Sequence, residues 1–468
     1  MASMTRPTGT PSPDPGAAPR ARKREQALDE QRIRLMMGMI DMVGDRGYRA
    51  TTVADVIGRA GVARRTFYKH FANKQECFLA TYDLISGEIL RRIARAYREA
   101  DGKPSRVETA LQKLFQSAIE NPAALRLATV EISAAGPEGI ERRELSIDRY
   151  QRFIADAADL APGRGTISET AARAIVGGLN RILYLRVPLA ERAELPELVP
   201  DLVTWATSYY PTPRAIIDSQ TADTGTRARL DGGRAPGTLA PRSALSARRG
   251  LARGNQNVSH SFVVHSQRER ILDAVANLTA AKGYAAVGID DVAGEAAVSL
   301  NAFYEHFADK EDALLVAYEL GHAKGLAIVQ RAYSAQEKWP DAIGAAIAAL
   351  FRFLASEPAF AHIALVDAKT ATFRTAERSN AGVSAFAQLL LPGMDDIPED
   401  ARPAAVTIEA IAGGIFELCL YHALQRRMRE LPRQTATATY IALAPFLGGA
   451  HAARVASKAG AERNDERG

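Results

Sequence analysis

The stretch RTFYKHFANKQECFL, Arg65–Leu79, returns in altered form as NAFYEHFADKEDALL, Asn301–Leu315. Phe67 and Phe303 are 236 positions apart. The same offset carries Gly47-Tyr48 to Gly283-Tyr284, His70-Phe71 to His306-Phe307 and Lys74 to Lys310. It also carries Pro104 to Pro340, Pro122-Ala123 to Pro358-Ala359, Gly177-Gly178 to Gly413-Gly414 and Leu195-Pro196 to Leu431-Pro432. A register that holds this far with no net insertion means two copies of one domain. A period this long means tandem domains and not a solenoid. Within the quoted stretch the charge reverses at one position, where Lys69 is matched by Glu305.

Within each copy the pattern is helical. Ile33, Met36, Met37, Ile40 and Val43 form an apolar stripe at helical spacing, and Ile271, Val275 and Leu278 repeat it. Gly47 and Gly283 stop that helix. TVAD from Thr52 reads as a capping box opening a short helix that buries Val53, Val56 and Ile57. Gly61 supplies a left-handed turn, and residues 64–70 form a second short helix. Asn73 caps a third, long helix. Helical patterns continue to about Tyr209, and no set of alternating strands is present. The fold class is all-α.

A short helix, a glycine turn and a second short helix make a helix-turn-helix. Such a unit places one set of side chains against base edges and flanking donors against phosphates. Copy one offers Arg64, Arg65, Thr66, Tyr68, Lys69 and His70 on the second helix, and Lys74 at the N-terminus of the next. Arg and Lys can donate to guanine, and Thr can touch a thymine methyl. Phe67 and Phe71, four residues apart, point inward and hold the helix.

These residues, TTVADVIGRAGVARRTFYKHFANKQECFL, resemble the N-terminal domain of the tetracycline-repressor (TetR) family of bacterial transcription regulators. The resemblance is strong over 28–80 and fair over 264–316. It implies two tandem units, each a three-helix DNA-binding head joined to a helical ligand and dimerisation domain. It further implies phosphate contact by Thr52 and Lys74, residues 64–69 in the major groove, and backbone contact by Tyr68 and His70. The basic run RARKRE before the first helix is either a minor-groove arm or a solubilising tail.

The second head keeps the fold signature and loses much of the binding signature. Thr52 becomes Gly288, and Gly61 becomes Ala297, which strains a left-handed turn by roughly 1 kcal/mol. Arg64, Arg65 and Thr66 become Leu300, Asn301 and Ala302. Asn301, Tyr304, His306 and Lys310 remain as DNA-contact candidates. Copy one is therefore expected to be the main reader of double-stranded DNA. Copy two is expected to be its intramolecular partner, binding DNA weakly or not at all. The alternatives are a homodimer carrying four heads, and a second head that binds a partner protein through Glu295, Glu305 and Asp309.

The resulting division is a disordered basic, Pro-rich arm (1–26), a head (27–75) and a helical regulatory domain (76–210). A disordered linker (211–262) follows, then a degenerate head (263–311), a second regulatory domain (312–449) and a disordered tail (450–468). A flexible linker of this length reaches about 40 Å. Two central glycines in a helix cost about 1 kcal/mol each. A packing reason at 177–178 and 413–414 follows, and those helices are the expected interface between copies, with those near 195–210 and 431–447. A small-molecule effector is implied by resemblance alone. Its candidate lining residues are Phe115, Tyr150, Phe153 and Tyr184, with Phe351, Phe360, Phe373 and Phe416 in copy two; core packing is the competing role for each.

Bulk properties fit this reading. The chain is 47% hydrophobic and 24% charged with a net charge of +5, which is ordinary for a globular protein. Much of the excess positive charge lies between 216 and 257, outside the heads. Cys77 and Cys419 are the two cysteines and do not occupy equivalent positions, so no disulfide framework or zinc pattern is expected. No H-E-x-x-H, G-x-S-x-G or P-loop occurs, so no enzyme, cofactor or metal site is expected. No uninterrupted apolar run is long enough to span a bilayer and no secretory signal opens the chain, so a cytoplasmic protein with no membrane partner is expected.

Overall fold

The computed structural model describes residues 17–100, 105–159, 166–186, 190–217, 260–395, 397–399 and 402–465. Among the described residues every regular element is a helix. The first head contains α1 (Ala17–Ala50), α2 (Val53–Ala60), α3 (Arg64–His70) and the start of α4 (Lys74–Glu99). Its body continues through α5 (Arg106–Glu120), α6 (Pro122–Thr129), α7 (Pro137–Asp159), α8 (Glu169–Arg186) and α9 (Val199–Thr207). The second head contains α10 (His260–Lys282), α11 (Ile289–Glu295), α12 (Leu300–His306) and the start of α13 (Lys310–Ser334). Its body contains α14 (Trp339–Ser356), α15 (Pro358–His362), α16 (Ala368–Ala371), α17 (Phe373–Gln388), α18 (Ala405–Leu424), α19 (Thr435–Leu447) and α20 (Gly449–Asp465).

Each head is built on its own core. Met39, Val56, Phe67 and Phe71 pack together in the first, and Ile271, Val292, Phe303 and Phe307 in the second. The two bodies share one core, which runs from Phe115 and Trp205 of copy one to Phe351 and Tyr440 of copy two. Its centre is the crossing of α8 on α18. The offset of 236 turns α8 into α18 and α9 into α19, and α8 meets α19 as α18 meets α9. Two like surfaces thus contact each other reciprocally, as in a twofold interface.

The glycine pairs explain how these helices come so close. A Cβ on Gly177 would lie 2.3 Å from Cβ of Glu417, and one on Gly413 would lie 2.7 Å from Cβ of Arg181. One on Gly178 would lie 2.6 Å from the carbonyl oxygen of Ala410, and one on Gly414 would lie 2.8 Å from that of Ala174. The expected packing reason is therefore present at all four glycines. α18 is long and apolar enough to cross a membrane, but 78% of its apolar window is buried inside the fold, so the core accounts for its composition.

Three boundaries differ from the sequence reading. The tail expected to be disordered from 450 is helical as far as Asp465, with Ala452, Ala453 and Ala456 buried against α19. Alanine has the highest helix propensity and a small buried face suffices here. The linker expected from 211 starts later. Thr212 and Ile216 are buried, and the Thr212 N–H donates to the Thr166 carbonyl at 3.0 Å. Residues 218–259 lie outside the described residues. The arm expected to end at 26 is helical from Ala17, so RARKRE belongs to α1 and is not an extended arm.

Candidate nucleic-acid interface

Local chemistry builds the first helix-turn-helix. Thr52 caps α2, as the Asp55 N–H donates to its Oγ1 at 3.2 Å and its own N–H donates to Asp55 Oδ2 at 2.9 Å. Gly61 then takes a left-handed backbone, φ 62° and ψ 41°, which turns the chain into α3. Phe67 and Phe71 are fully buried with ring centroids 5.8 Å apart, and they anchor α3 on the head. Arg32 of α1 lies over the Phe71 ring at 4.7 Å. With that inner face fixed, Arg64, Arg65, Tyr68 and Lys69 are exposed together, while Thr66 and His70 are half-buried. Among the described residues, no ion pair holds Arg64, Arg65 or Lys69. The Arg64 guanidinium lies 5.9 Å from the Tyr68 ring centroid. Burial, with Arg32 and Lys69 nearby, lowers the His70 pKa below its ordinary value, so this imidazole is neutral at pH 7.

Lys74 has a task beyond the one expected. Its Nζ donates to the carbonyls of Tyr48 and Thr51, both at 2.9 Å, and sits 4.2 Å from the Tyr48 ring centroid. Lys310 repeats this, donating to Tyr284 at 3.0 Å and Val287 at 2.8 Å. A lysine has three donors, and two of them tie the long helix to the chain just before the helix-turn-helix. Lys74 and Lys310 thus form an internal brace in both heads, in addition to any phosphate contact by the third donor.

The second head has the same frame and a different outer face. Gly288 caps α11 through its N–H to Asp291 Oδ2 at 3.0 Å, with no hydroxyl to offer. Ala297 takes φ 51° at the turn, the left-handed conformation that the sequence flagged as strained. Leu300, Asn301, Tyr304 and Glu305 are exposed where copy one has Arg64, Arg65, Tyr68 and Lys69, and His306 is half-buried. The sequence reading missed Ser299, whose side chain caps α12 by accepting from the Ala302 N–H at 3.1 Å. Its signal was a serine directly before a helix; Ala63 holds that place in copy one without a side-chain cap.

Where the bodies meet, a buried polar network joins the copies. Arg143 of α7 donates to both carboxylate oxygens of Glu417, at 3.2 and 2.5 Å, and to Glu144 at 3.0 Å. Arg173 of α8 bonds Glu144 and, at 2.8 Å, Asp148. Its Nη2 lies 3.6 Å from Glu417. Glu417 is 1% exposed. Burial alone would raise its pKa, but Arg143 and Arg173 outweigh it and hold the carboxyl low. Burial and the Glu417 charge push Glu144 up to about 7. Arg186 bonds Glu409 at 3.0 Å, the Asn380 amide donates to the Tyr184 hydroxyl at 2.8 Å, and Tyr209 donates to the Ile441 carbonyl at 3.1 Å.

The body of copy one holds a cavity of about 460 Å³, lined by Tyr150 and Phe153 among others, and that of copy two a cavity of about 140 Å³, lined by Phe360 and Phe416. Phe115 and Phe351 instead fill the shared core, and Tyr184 sits at the contact between copies. The side chain of Phe373 lies outside the described residues. Among the described residues no cluster of His, Cys, Asp and Glu could hold a metal. Cys77 and Cys419 are buried, and burial pushes both thiols up to about 12.

Residues 40–81 and 271–317 match the family described as bacterial regulatory proteins, tetR family. The transcriptional activator FasR of Mycolicibacterium smegmatis is 29% identical over 87 residues, 19% of this chain and 40% of its own length. The transcriptional regulator CymR of Pseudomonas putida is 31% identical over 103 residues, 22% of this chain and 49% of its own. The nucleoid occlusion factor SlmA of a Marinomonas strain is 26% identical over 140 residues, 29% of this chain and 71% of its own. The chain thus spans less than half the length of FasR and CymR. A solved structure of the fatty acid degradation regulator FadR from Bacillus halodurans superposes with a TM-score of 0.34 at 14% identity, covering 38% of this chain and 94% of that one.

Proposed function

This chain belongs to the tetR family of bacterial regulatory proteins in two tandem copies, and we propose that it is a ligand-responsive repressor in which copy one reads DNA and copy two is its built-in partner. The observation that carries the proposal is the outward face of α3, with Arg64, Arg65 and Lys69 exposed and, among the described residues, outside any ion pair, against the Leu300, Asn301 and Glu305 face of α12. Three cations are lost and one anion is gained on an otherwise equivalent helix. The phosphate backbone attracts the first face and repels the second. Thr52, Thr66, Tyr68 and His70 flank the reading face, and Asn301, Tyr304 and His306 are the residual contacts of the second head. DNA in the cytoplasm is the partner, and the larger cavity supports a small-molecule effector.

Charge at the interface supports pairing of copy one with copy two. Glu417 and Arg181 exchange places under the offset, as do Arg173 and Glu409. Two copies of body one would bring Arg143, Arg173 and Arg181 together with no Glu417. Two copies of body two would bring Glu409 and Glu417 together with none of those arginines. Buried charges without partners cost several kcal/mol each, so the mixed pairing is favoured within one chain.

The test is gel retardation with a site selected from random DNA by the intact protein. Alanine at Arg64, Arg65 and Lys69 together abolishes specific retardation. Alanine at Asn301, Tyr304 and Glu305 together leaves affinity within about threefold, roughly 0.7 kcal/mol. The opposite pattern, with the second set lethal to binding and the first harmless, reverses the assignment of the two heads.

A further inference from the structure

The two cavities are built from equivalent helices, yet they differ about threefold in size, 460 against 140 Å³. The offset of 236 identifies the cause. Ser117, Ala124 and Asn180 line the larger cavity, and Phe353, Phe360 and Phe416 stand at the equivalent positions in copy two. Room for two of these rings comes from a second exchange. Ile85 and Ile89 of the larger cavity correspond to Gly321 and Gly325. A Cβ on Gly321 would lie 2.2 Å from the Phe360 ring, and one on Gly325 would lie 2.8 Å from the Phe353 ring. Phe353 and Phe360 also pack on each other, with centroids 5.5 Å apart. Glycine is the one residue that lets each ring fill the space at these two places. What is left is close to the roughly 150 Å³ that holds a single benzene ring.

The open cavity also says what it can hold. Its walls are mainly aliphatic, including Ile93, Leu111, Leu114 and Leu183. The arginines that reach it are engaged, Arg92 with Glu88 at 2.8 Å and Arg143 with Glu417 and Glu144. The Tyr150 hydroxyl donates to the Ser86 carbonyl at 3.1 Å. Among the described residues the Asn180 amide has no hydrogen-bond partner, and it lies where copy two has Phe416. An ionic ligand would find no unpaired counter-charge here, and burying it would be costly. A volume of this order suits a drug-sized molecule.

We infer that this chain takes one effector, in copy one only: an uncharged, largely apolar molecule with one hydrogen-bonding group, while the phenylalanines of copy two leave its cavity too small for a molecule of that size. The inference rests on the effector reading above and sharpens it. The copy with the basic reading helix is then also the copy that senses. Arg143 both lines the cavity and binds Glu417 of copy two, so the ligand's wall is part of the contact between copies.

The test is a fluorescence titration of the full chain with the uncharged apolar dye N-phenyl-1-naphthylamine, with circular dichroism melts to establish folding. One dye per chain is expected. The Ser117→Phe/Ala124→Phe variant should lose at least tenfold in dye affinity. The Phe353→Ser/Phe360→Ala variant, an opening change, should bind two. Two dyes on the unaltered chain, none at all, or one dye on a folded opening variant overturns the inference, and the opening arm decides if the filled variant does not fold. Gel retardation on the selected site is read alongside. Absence of specific retardation by the dye-free chain, with the dye counts as expected, refutes the regulator reading and leaves the cavity inference standing.

Discussion

Glu417→Gln should loosen the contact between the copies without disturbing its packing. The substitution keeps the side-chain shape and removes the one buried carboxylate that faces Arg143 and Arg173 from the other copy. Arg143 keeps Glu144 at 3.0 Å, and Arg173 keeps Asp148 at 2.8 Å, so neither arginine is left wholly unpaired. Breaking a buried pair on one side costs about 3–5 kcal/mol, and the remaining partners place this case near 3. A cost of about 3 kcal/mol weakens association about 150-fold. A protease site inserted between 218 and 259 allows the chain to be cut after folding, so that only noncovalent contacts hold the halves. The assay is the rate at which a labelled half exchanges into the cut complex, since most of such a change appears in dissociation. Exchange within threefold of the unaltered protein would refute the view that this network holds the copies together.

Four further outcomes follow from the same geometry. Lys74→Met should destabilise the first head by about 1–3 kcal/mol, because two buried carbonyls lose their donor, and chemical denaturation measures it. The salt slope of the remaining DNA binding should stay unchanged, whereas a phosphate contact would take about 0.9 from it. Alanine at Lys69 alone should reduce that slope by about 0.9, read by retardation at several salt concentrations. Gly178→Val should lower the melting temperature, since overpacking costs about 1–3 kcal/mol and exceeds the few tenths gained in helix propensity. Burial, with Arg143 and Arg181 nearby, lowers Lys369 to about 7 despite the opposing Glu417 charge. Its folded pKa lies below its unfolded one, so stability is lost as pH falls from above 10 towards 7. Lys369→Met should flatten that part of a melting-temperature profile and raise it at pH 7.

Much of the heads was legible because their determinants are local. The aromatic pairs at 67 and 71 and at 303 and 307, the Thr52 capping box and the left-handed Ala297 all depend on residues a turn or two apart. The glycine pairs were also legible, since four glycines in two helix centres need a reason beyond propensity. The brace made by Lys74 was not, because its acceptors lie 23 and 26 residues earlier and only the folded head brings them to one ammonium group. Arg143 and Glu417 are 274 residues apart, and nothing local marks them as partners. The exchange of Ser117 and Ala124 for Phe353 and Phe360 was in the sequence throughout. It gains meaning only once the fold shows that these positions face a cavity. The C-terminal helix was missed because its buried face is alanine, too weakly apolar to stand out among charged neighbours.

The most direct measurement is a footprint of the intact protein on its selected site, with the number of chains per duplex determined on the same complex. One reader and one built-in partner predict a single asymmetric half-site protected by one chain. A palindromic site with both halves equally protected by one chain would contradict it, because the second head would then be reading DNA as well as the first.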